Sequence, residues 1–450
     1  MAQEQKKIPA HPYPLTRRIR LTIMLSLIGA FLVITPPLLF YAQGFTFDFP
    51  SKKFIHGGAL SIETSPTGTH LFLNNIKISS PEPFRLSHLL PGNYHVKIEK
   101  EGYYSWERDI TILSNQTTYL HDIDLFRIQK PILLNNALND ILTLNGWQKD
   151  DSIVLERKKE NNYEFFFYNT ITQKETPITH FYSTTTLESE WSPNYQLLKI
   201  ESFTNSEKNI VLLNPLSPLT SQTFALPKHA NPQWGDGGFS DSLLVQDGKE
   251  IRQMNLNTTK SLFSLSTTNS LWFVEPQNTI WEFEDNIFRR YRGEKNILTA
   301  GTGKIITQII DANENRIIGR SSNGLIIFHI ENGSIVQEEE IPATEFLFYR
   351  DQNYYLAWYQ GELRSISYEG NVTLINRFSS DIQSIQPLTP SGTLLILTQN
   401  TFLTFHPKYY LTHELLKTDH VQSFAVNQKK REIYFEGSID KTNGLWKIKY

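Results

Sequence analysis

The sequence predicts an all-β protein held on one N-terminal transmembrane helix, and three observations carry that expectation. Leu21 to Tyr41 is a run of 21 residues with no Asp, Glu, Lys or Arg. The rest of the chain is rich in Phe, Tyr, Ile, Thr and Asn and is broken every few residues by Asn, Asp, Gly, Ser or Pro, a composition that favours strands and tight turns. From residue 130 onward, a turn feeding an apolar strand recurs at near-regular spacing. These observations divide the chain into a basic stub at 1–20, a span at 21–41, a polar and aromatic connector at 42–57, a small β module at 58–126 and a long repeated body at 130–450.

At about 1.5 Å per residue the apolar run reaches across the ~30 Å hydrocarbon core of a bilayer. Lys6, Lys7, Arg17, Arg18 and Arg20 precede it, whereas Ala42 to Phe49 offer only Asp48. That asymmetry places the N-terminus in the cytoplasm and the body outside. A cleaved signal peptide would have a shorter apolar region and a small-x-small site, but Ala42 follows Phe40 and Tyr41. A buried helix of a soluble protein would show a polar face and would be disturbed by Pro36-Pro37. The span therefore reads as a signal anchor.

The chain has 450 residues, 39% of them hydrophobic, enough for two or three cored domains. Its formal charge of −3 includes the basic stub, so about −7 falls on the remainder, and no basic stripe suits nucleic acid. Cysteine is absent, which excludes a disulfide scaffold and thiolate metal sites.

Gly58 to Phe126 alternates with a period of two. In Asn93 to Lys100, Tyr94, Val96 and Ile98 point one way and His95, Lys97 and Glu99 the other. Further strands are expected at 59–64, 69–74, 107–113 and 117–125. Turns at Pro66-Thr67-Gly68, Asn74-Asn75, Pro91-Gly92 and Glu101-Gly102 separate them. The series Gly58-Ala59-Leu60-Ser61-Ile62, Ser65-Pro66-Thr67-Gly68-Thr69, Leu89-Leu90-Pro91-Gly92-Asn93-Tyr94 and Lys100-Glu101-Gly102-Tyr103 resembles the PEGA domain. That family's Pro-Glu-Gly-Ala is Pro66-Thr67-Gly68-Thr69 here, so the turn-forming Pro and Gly remain while Glu and Ala are absent. The resemblance implies a small β-sandwich-like module of extracytoplasmic proteins, with Pro66, Gly68, Pro91, Gly92, Gly102 and Tyr103 as structural turn residues and no catalytic ones.

In the body, the turn before an apolar strand is clearest at Ser192–Leu198, Asp311–Ile318, Thr389–Leu395 and Asn427–Tyr434, with weaker copies near Gln148, Asp236, Glu275 and Arg350. The spacing of about 39 residues is that of one four-stranded propeller blade. A β-propeller is expected, with eight blades favoured and seven left open. The last repeat, from Val421, has room for three strands only, and Pro131 to Asn135 is placed to supply the fourth. Trp191-Ser192-Pro193-Asn194 resembles the repeat turn of Tol-type propellers, without their Gly.

Trp147, Trp191, Trp234 and Tyr349 stand just before repeat turns, where they would line one mouth or pack between blades. Glu188 and Glu190, two apart on an expected innermost strand, would face the channel together, and paired carboxylates are what glycoside hydrolysis needs. His180, His229, His329, His406, His413 and His420 show no metal-binding spacing. Asp311 to Asn315 begins like a calcium loop but lacks its Gly and terminal Glu, so it reads as a hairpin turn. No metal, cofactor or catalytic residue is expected. The leading expectation is a non-enzymatic, membrane-anchored binding or scaffolding protein of the cell envelope with a protein or glycan partner. A propeller-type glycan hydrolase or lyase and a structural subunit of an envelope assembly are the alternatives.

Overall fold

The computed structural model describes residues 16–48, 52–136, 141–145, 151–183, 187–193, 196–203, 207–227, 230, 232–235, 241–349 and 353–450. The chain separates into two compact units, Met1–Leu125 and Phe126–Tyr450.

Unit 1 begins with the helix Arg17–Ala42, which is long and apolar enough to cross a membrane. It starts four residues before the apolar run, so Arg17, Arg18 and Arg20 lie in its first turn, where their long side chains can reach back toward headgroups. It also runs through Pro36 and Pro37, although each proline withholds the N–H that the carbonyl four residues earlier would accept. Gly44, at φ +84°, ends it and reverses the chain.

The connector at 42–57 is more ordered than expected. Phe45–Asp48 and Lys53–His56 pair as an antiparallel hairpin, with Phe45 opposite His56 and Phe47 opposite Phe54. Four-residue strands are too short for their alternation to stand out in sequence.

The module that follows has two sheets. One has the order Phe84–Leu89, Gly58–Ser65, Thr117–Asp124, its second pair parallel. The other runs Ile76–Ile78, His70–Leu73, Gly92–Glu99, Trp106–Ile112, antiparallel throughout. Five of these strands are the expected ones, and Ile76–Ile78 and Phe84–Leu89 are additional. Leu60, Ile62, Leu71, Val96, Ile98 and Trp106 form the buried core. Gly58 has no room for a side chain, because a Cβ there would sit 2.4 Å from Ile112 Cγ2 and 2.5 Å from Leu113 O.

Unit 2 is a β-propeller. Its described residues form eight four-stranded sheets, seven of which take four consecutive strands in order. The second sheet, for example, is Glu188–Trp191, Leu198–Phe203, Glu207–Leu213 and Gln222–Pro227, close to the strands that the same alternation and turns predict from sequence at 187–191, 197–202, 210–214 and 223–226. The last sheet is different: His420–Asn427, Glu432–Ile439 and Thr442–Lys449 are completed by Ile132–Asn135 from the start of the unit. That strand covers an edge whose N–H and C=O groups would otherwise be unpaired.

Each repeat turn falls between the first and second strands of a sheet. Those near Gln148, Asp236 and Arg350 lie in segments outside the described residues, as do Asn194 and the remainder of the Tol-like turn after Pro193 and before Gln196. Adjacent sheets share apolar cores. Leu198 and Ile200 meet Tyr163 and Phe165, Leu243 and Val245 meet Ile210 and Leu212, and Phe288 meets Phe328. The last sheet meets the first through Tyr434, Leu445, Leu144 and Leu155, with Leu134 of the closing strand in the same cluster. Two side chains of His420–Asn427 also bond the backbone of the first sheet, Gln422 Nε2 to Ile141 O at 2.9 Å and Ser423 Oγ accepting from Leu144 N–H at 3.0 Å.

Candidate functional site

Side chains on a strand alternate between its two faces, so the first strand of each sheet presents every second residue inward. In unit 2 this periodicity builds a cavity of about 790 Å³, walled by the first strands of five consecutive sheets. Glu188 and Glu190, Phe273 and Glu275, Gln308 and Ile310, and Phe346 and Phe348 line it as i, i+2 pairs.

Its charges are largely matched within the wall. The Lys199 ammonium, 8% exposed, lies 2.6 Å from Glu190 Oε2 and 2.8 Å from Glu201 Oε1, while Lys208 reaches Glu201 Oε2 at 2.9 Å. Burial pushes the Glu201 carboxyl up, but Lys199 and Lys208 outweigh it and hold the group below the usual carboxylate range. Burial pulls Lys199 down, and the two glutamates more than reverse that. Arg290 forks onto Glu275 at 2.9 and 3.0 Å, and Trp281 Nε1–H donates to the same carboxylate at 2.6 Å. Arg316, 2% exposed, donates to Asp311 Oδ2 at 2.8 Å and to Tyr368 O at 2.7 Å, with its guanidinium between the Tyr355 and Tyr368 rings. Glu188 is exposed and has no cation within ion-pair distance among the described residues.

The aromatics singled out in the sequence divide differently. Trp147 lies outside the described residues. Trp191 packs against the core shared by the first two sheets. Tyr349 is buried at 1% exposure among Leu356, Ile385 and Phe405, with its hydroxyl toward Thr389 O at 3.4 Å. Trp234 both packs on an intersheet cluster and lines the cavity. Residues just before a turn thus serve mainly intersheet packing, and the rings that reach the cavity include Phe273, Phe346, Phe348 and Tyr355. The parity of the strand was the available signal: Phe346 and Phe348 alternate with Tyr349, as Glu188 and Glu190 alternate with Trp191.

Sequence reasoning also missed a repeated glutamate on the second strands. Glu156, Glu201, Glu282 and Glu436 each sit opposite a residue of the first strand, namely Thr143, Glu188, Trp272 and Ser423. All four are nearly inaccessible. Glu156 accepts from Thr143 Oγ1 at 2.6 Å and, across to the next sheet, from Ser189 Oγ at 3.1 Å. Burial pushes its carboxyl up despite those bonds. Glu282 accepts Ser266 N–H and Oγ–H at 2.6 and 2.8 Å. Glu436 Oε2 has no hydrogen-bond partner among the described residues, and burial raises its pKa to about 7. The sequence signal is three residues, mostly apolar, before each Glu, as in Ile153-Val154-Leu155-Glu156 and Ile433-Tyr434-Phe435-Glu436.

The calcium-like stretch at Asp311 is a turn in which Asn313 Oδ1 accepts the N–H groups of Asn315 and Arg316 at 2.9 and 3.0 Å. Among the described residues no three His, Asp or Glu side chains stand together as a metal site.

In the small module, Gly68 and Gly102 adopt φ of +81° and +77°. The turn before the second strand is held by a carboxylate from elsewhere: Glu82 accepts the N–H of Gly68 at 2.6 Å and of Thr69 at 2.7 Å, and also the Thr69 hydroxyl. Burial acts to raise its pKa, but these donors outweigh burial and lower it. Lys100 bonds Thr67 O and lies 5.6 Å from the Tyr103 ring, tying the Gly102 turn to the same place.

No curated protein sequence matches the chain. Among solved structures it is similar to the uncharacterized protein lmo1340 of Listeria monocytogenes EGD-e, at 14% identity over 62% of this chain and 95% of that one, with a TM-score of 0.42. It is similar at 8% identity to Sqt1 of Saccharomyces cerevisiae, over 72% of this chain and all of that one, with a TM-score of 0.45. It is also similar at 10% identity to the WD40 β-propeller domain of Doa1, over 72% and 95% of the chains, with a TM-score of 0.35. Residues 57–123 match the PEGA domain family, so the small module is a PEGA domain.

Proposed function

We propose that this chain is a membrane-anchored, extracytoplasmic binding or scaffolding protein, and that its propeller cavity takes an uncharged glycan of the cell envelope. The observation that carries the reading is the cavity lining. Trp234, Phe273 and Phe348 line the cavity together with Gln233, Gln277 and Gln308, while most charges are already paired. Rings stack on sugar faces and amides bond hydroxyl groups, and neither needs a net charge on the ligand. The basic flank of the helix supports a cytoplasmic N-terminus and an outside body. The PEGA domain supports the same side, and the eight sheets are read as eight blades.

The test uses the full-length protein in lipid nanodiscs, titrated with neutral and with anionic envelope oligosaccharides while tryptophan fluorescence and product formation are followed. The expected result is saturable binding of the neutral oligosaccharide without turnover, weakened about fivefold or more by Trp234→Ala, since loss of an anchoring ring costs about 1 kcal/mol or more. Cleavage abolished by Glu188→Gln with Glu190→Gln would replace the reading with a hydrolase. Capture of a protein by the body, with no oligosaccharide binding, would replace it with an assembly subunit.

A further inference from the structure

The hairpin after the helix carries an exposed aromatic cluster continuous with the helix end. Phe40 stacks on Phe54, centroids 5.4 Å apart, and meets Phe45 edge-on at 5.3 Å, while Phe47 meets Phe54 at 5.1 Å. Tyr41, Phe54, Phe40 and Phe47 are 61, 52, 42 and 37% exposed. Only Gln43 and Gly44 separate the helix from the hairpin, so these rings gather at the level where the apolar run ends. In water such a patch is costly, whereas at a bilayer interface amphipathic and aromatic rings are favoured. Lys52 and Lys53, exposed at the hairpin's far end, would meet phosphate groups there.

The hairpin is also bonded to the PEGA domain. The His88 ring lies flat on Tyr41, 4.1 Å away and 4° from parallel, and its Nε2–H donates to Tyr41 O at 2.9 Å. Thr46 Oγ1 donates to His88 O at 3.1 Å, and Gly57 N–H donates to Gly44 O at 2.9 Å. The helix end, hairpin and domain are thus coupled by named bonds.

We propose that the strands Phe45–Asp48 and Lys53–His56, together with Phe40 and Tyr41, form a collar that lies in the headgroup region of the bilayer and seats the PEGA domain directly on the membrane. The occupant is the lipid surface itself, because the patch continues the membrane-spanning helix. The inference rests on the reading of that helix as a span, and the experiment separates the two.

The chain contains no cysteine, so single-cysteine variants of the full-length protein can carry a nitroxide without background. Phe47→Cys and Phe54→Cys report the collar, Ile28→Cys the span and Glu101→Cys, in an exposed turn, the aqueous reference. Each variant removes one ring of the cross-strand pair and leaves the other rings of the cluster in place, so each position checks the other. In vesicles of phosphatidylcholine and phosphatidylglycerol, collisions with oxygen and with a polar nickel chelate are measured by power saturation. The polar reagent is depleted where apolar groups displace water, so nickel accessibility at Phe47 and Phe54 should be at least about threefold below that at Glu101, with oxygen accessibility equal or higher. Nickel accessibility at either collar position equal to that at Glu101, with Ile28 shielded, overturns the collar and leaves the span. If Ile28 is also accessible, both readings fall.

Discussion

Leu134→Ala tests whether the ring of unit 2 is closed by its own first strand. Leu134 is 8% exposed, sits in Ile132–Asn135, and packs in the cluster that joins the last sheet to the first through Tyr434, Leu445 and Leu155. Truncating a buried Leu to Ala costs about 2–5 kcal/mol, and a slightly exposed residue on an outer strand belongs near the lower end, roughly 2–3 kcal/mol. At about 2.1 cal/mol/K per residue over a unit of roughly 325 residues, 1 kcal/mol shifts Tm by only about 1.5 °C, so the expected drop is about 3–5 °C. Leu356→Ala is the reference, a fully buried position away from the closure, with an expected drop of about 6–7 °C on the same scale. Differential scanning of the full-length protein by tryptophan fluorescence reads both, and Trp446, opposite Leu133 in the register, lies beside the closing strand. A Leu134→Ala variant within about 1 °C of wild type, with the Leu356→Ala reference clearly shifted, would refute the closure.

Other perturbations address carboxylates held within the fold. Glu82→Gln removes the anion that accepts two backbone N–H groups, and it should cost the PEGA domain about 1–3 kcal/mol at pH 7. Because the folded pKa of Glu82 is lowered, this stabilisation is present above its unfolded pKa and is lost as pH falls through the folded value. Amide exchange at Gly68 and Thr69 in wild type and variant should therefore converge in acid; an unchanged difference would contradict the assignment. Glu436 has the opposite sign, since its folded pKa is raised to about 7, so its contribution is full below the unfolded pKa and lost as pH rises toward 7. Glu436→Gln should melt above wild type at pH 8 but not at pH 4, and a pH-independent difference would count against a buried, unpartnered carboxylate. Lys199→Met leaves Glu201 with Lys208 alone and should cost about 3 kcal/mol, much of it recovered when Glu201→Gln is added. Additive losses in thermal melts of the single and double variants would argue against that coupling.

Much of the fold was legible because it depends on local regularities. The β-strands of residues 92–99 and 106–112 follow from a period of two, and the propeller from turns recurring once per sheet. Hairpin pairing is local, so Leu198–Phe203 and its neighbours could be placed from sequence alone. The hairpin at Phe45–His56 was missed because two four-residue strands contain too few alternations, and Phe84–Leu89 because the alternation of Phe84 to Ser87 covers only four residues before it slips at His88 and Leu89. In the cavity, Glu188 and Glu190 were found from their spacing, whereas Phe346 and Phe348 were passed over for Tyr349, one residue away on the other face.

By itself the sequence determined that one apolar helix precedes an all-β body, that a PEGA-like module comes first, and that a repeated four-strand unit follows. Hydrophobic length, alternation and turn chemistry are properties of neighbouring residues and need no knowledge of distant ones. Tertiary structure alone decided that Glu82 binds the Gly68 turn, that Lys199 is shared by Glu190 and Glu201, that Glu156 reaches Ser189, and that His88 holds the end of the helix. Most of those contacts join residues from different elements or turns, and the energy of each depends on a burial and a geometry that exist only once the chain has folded.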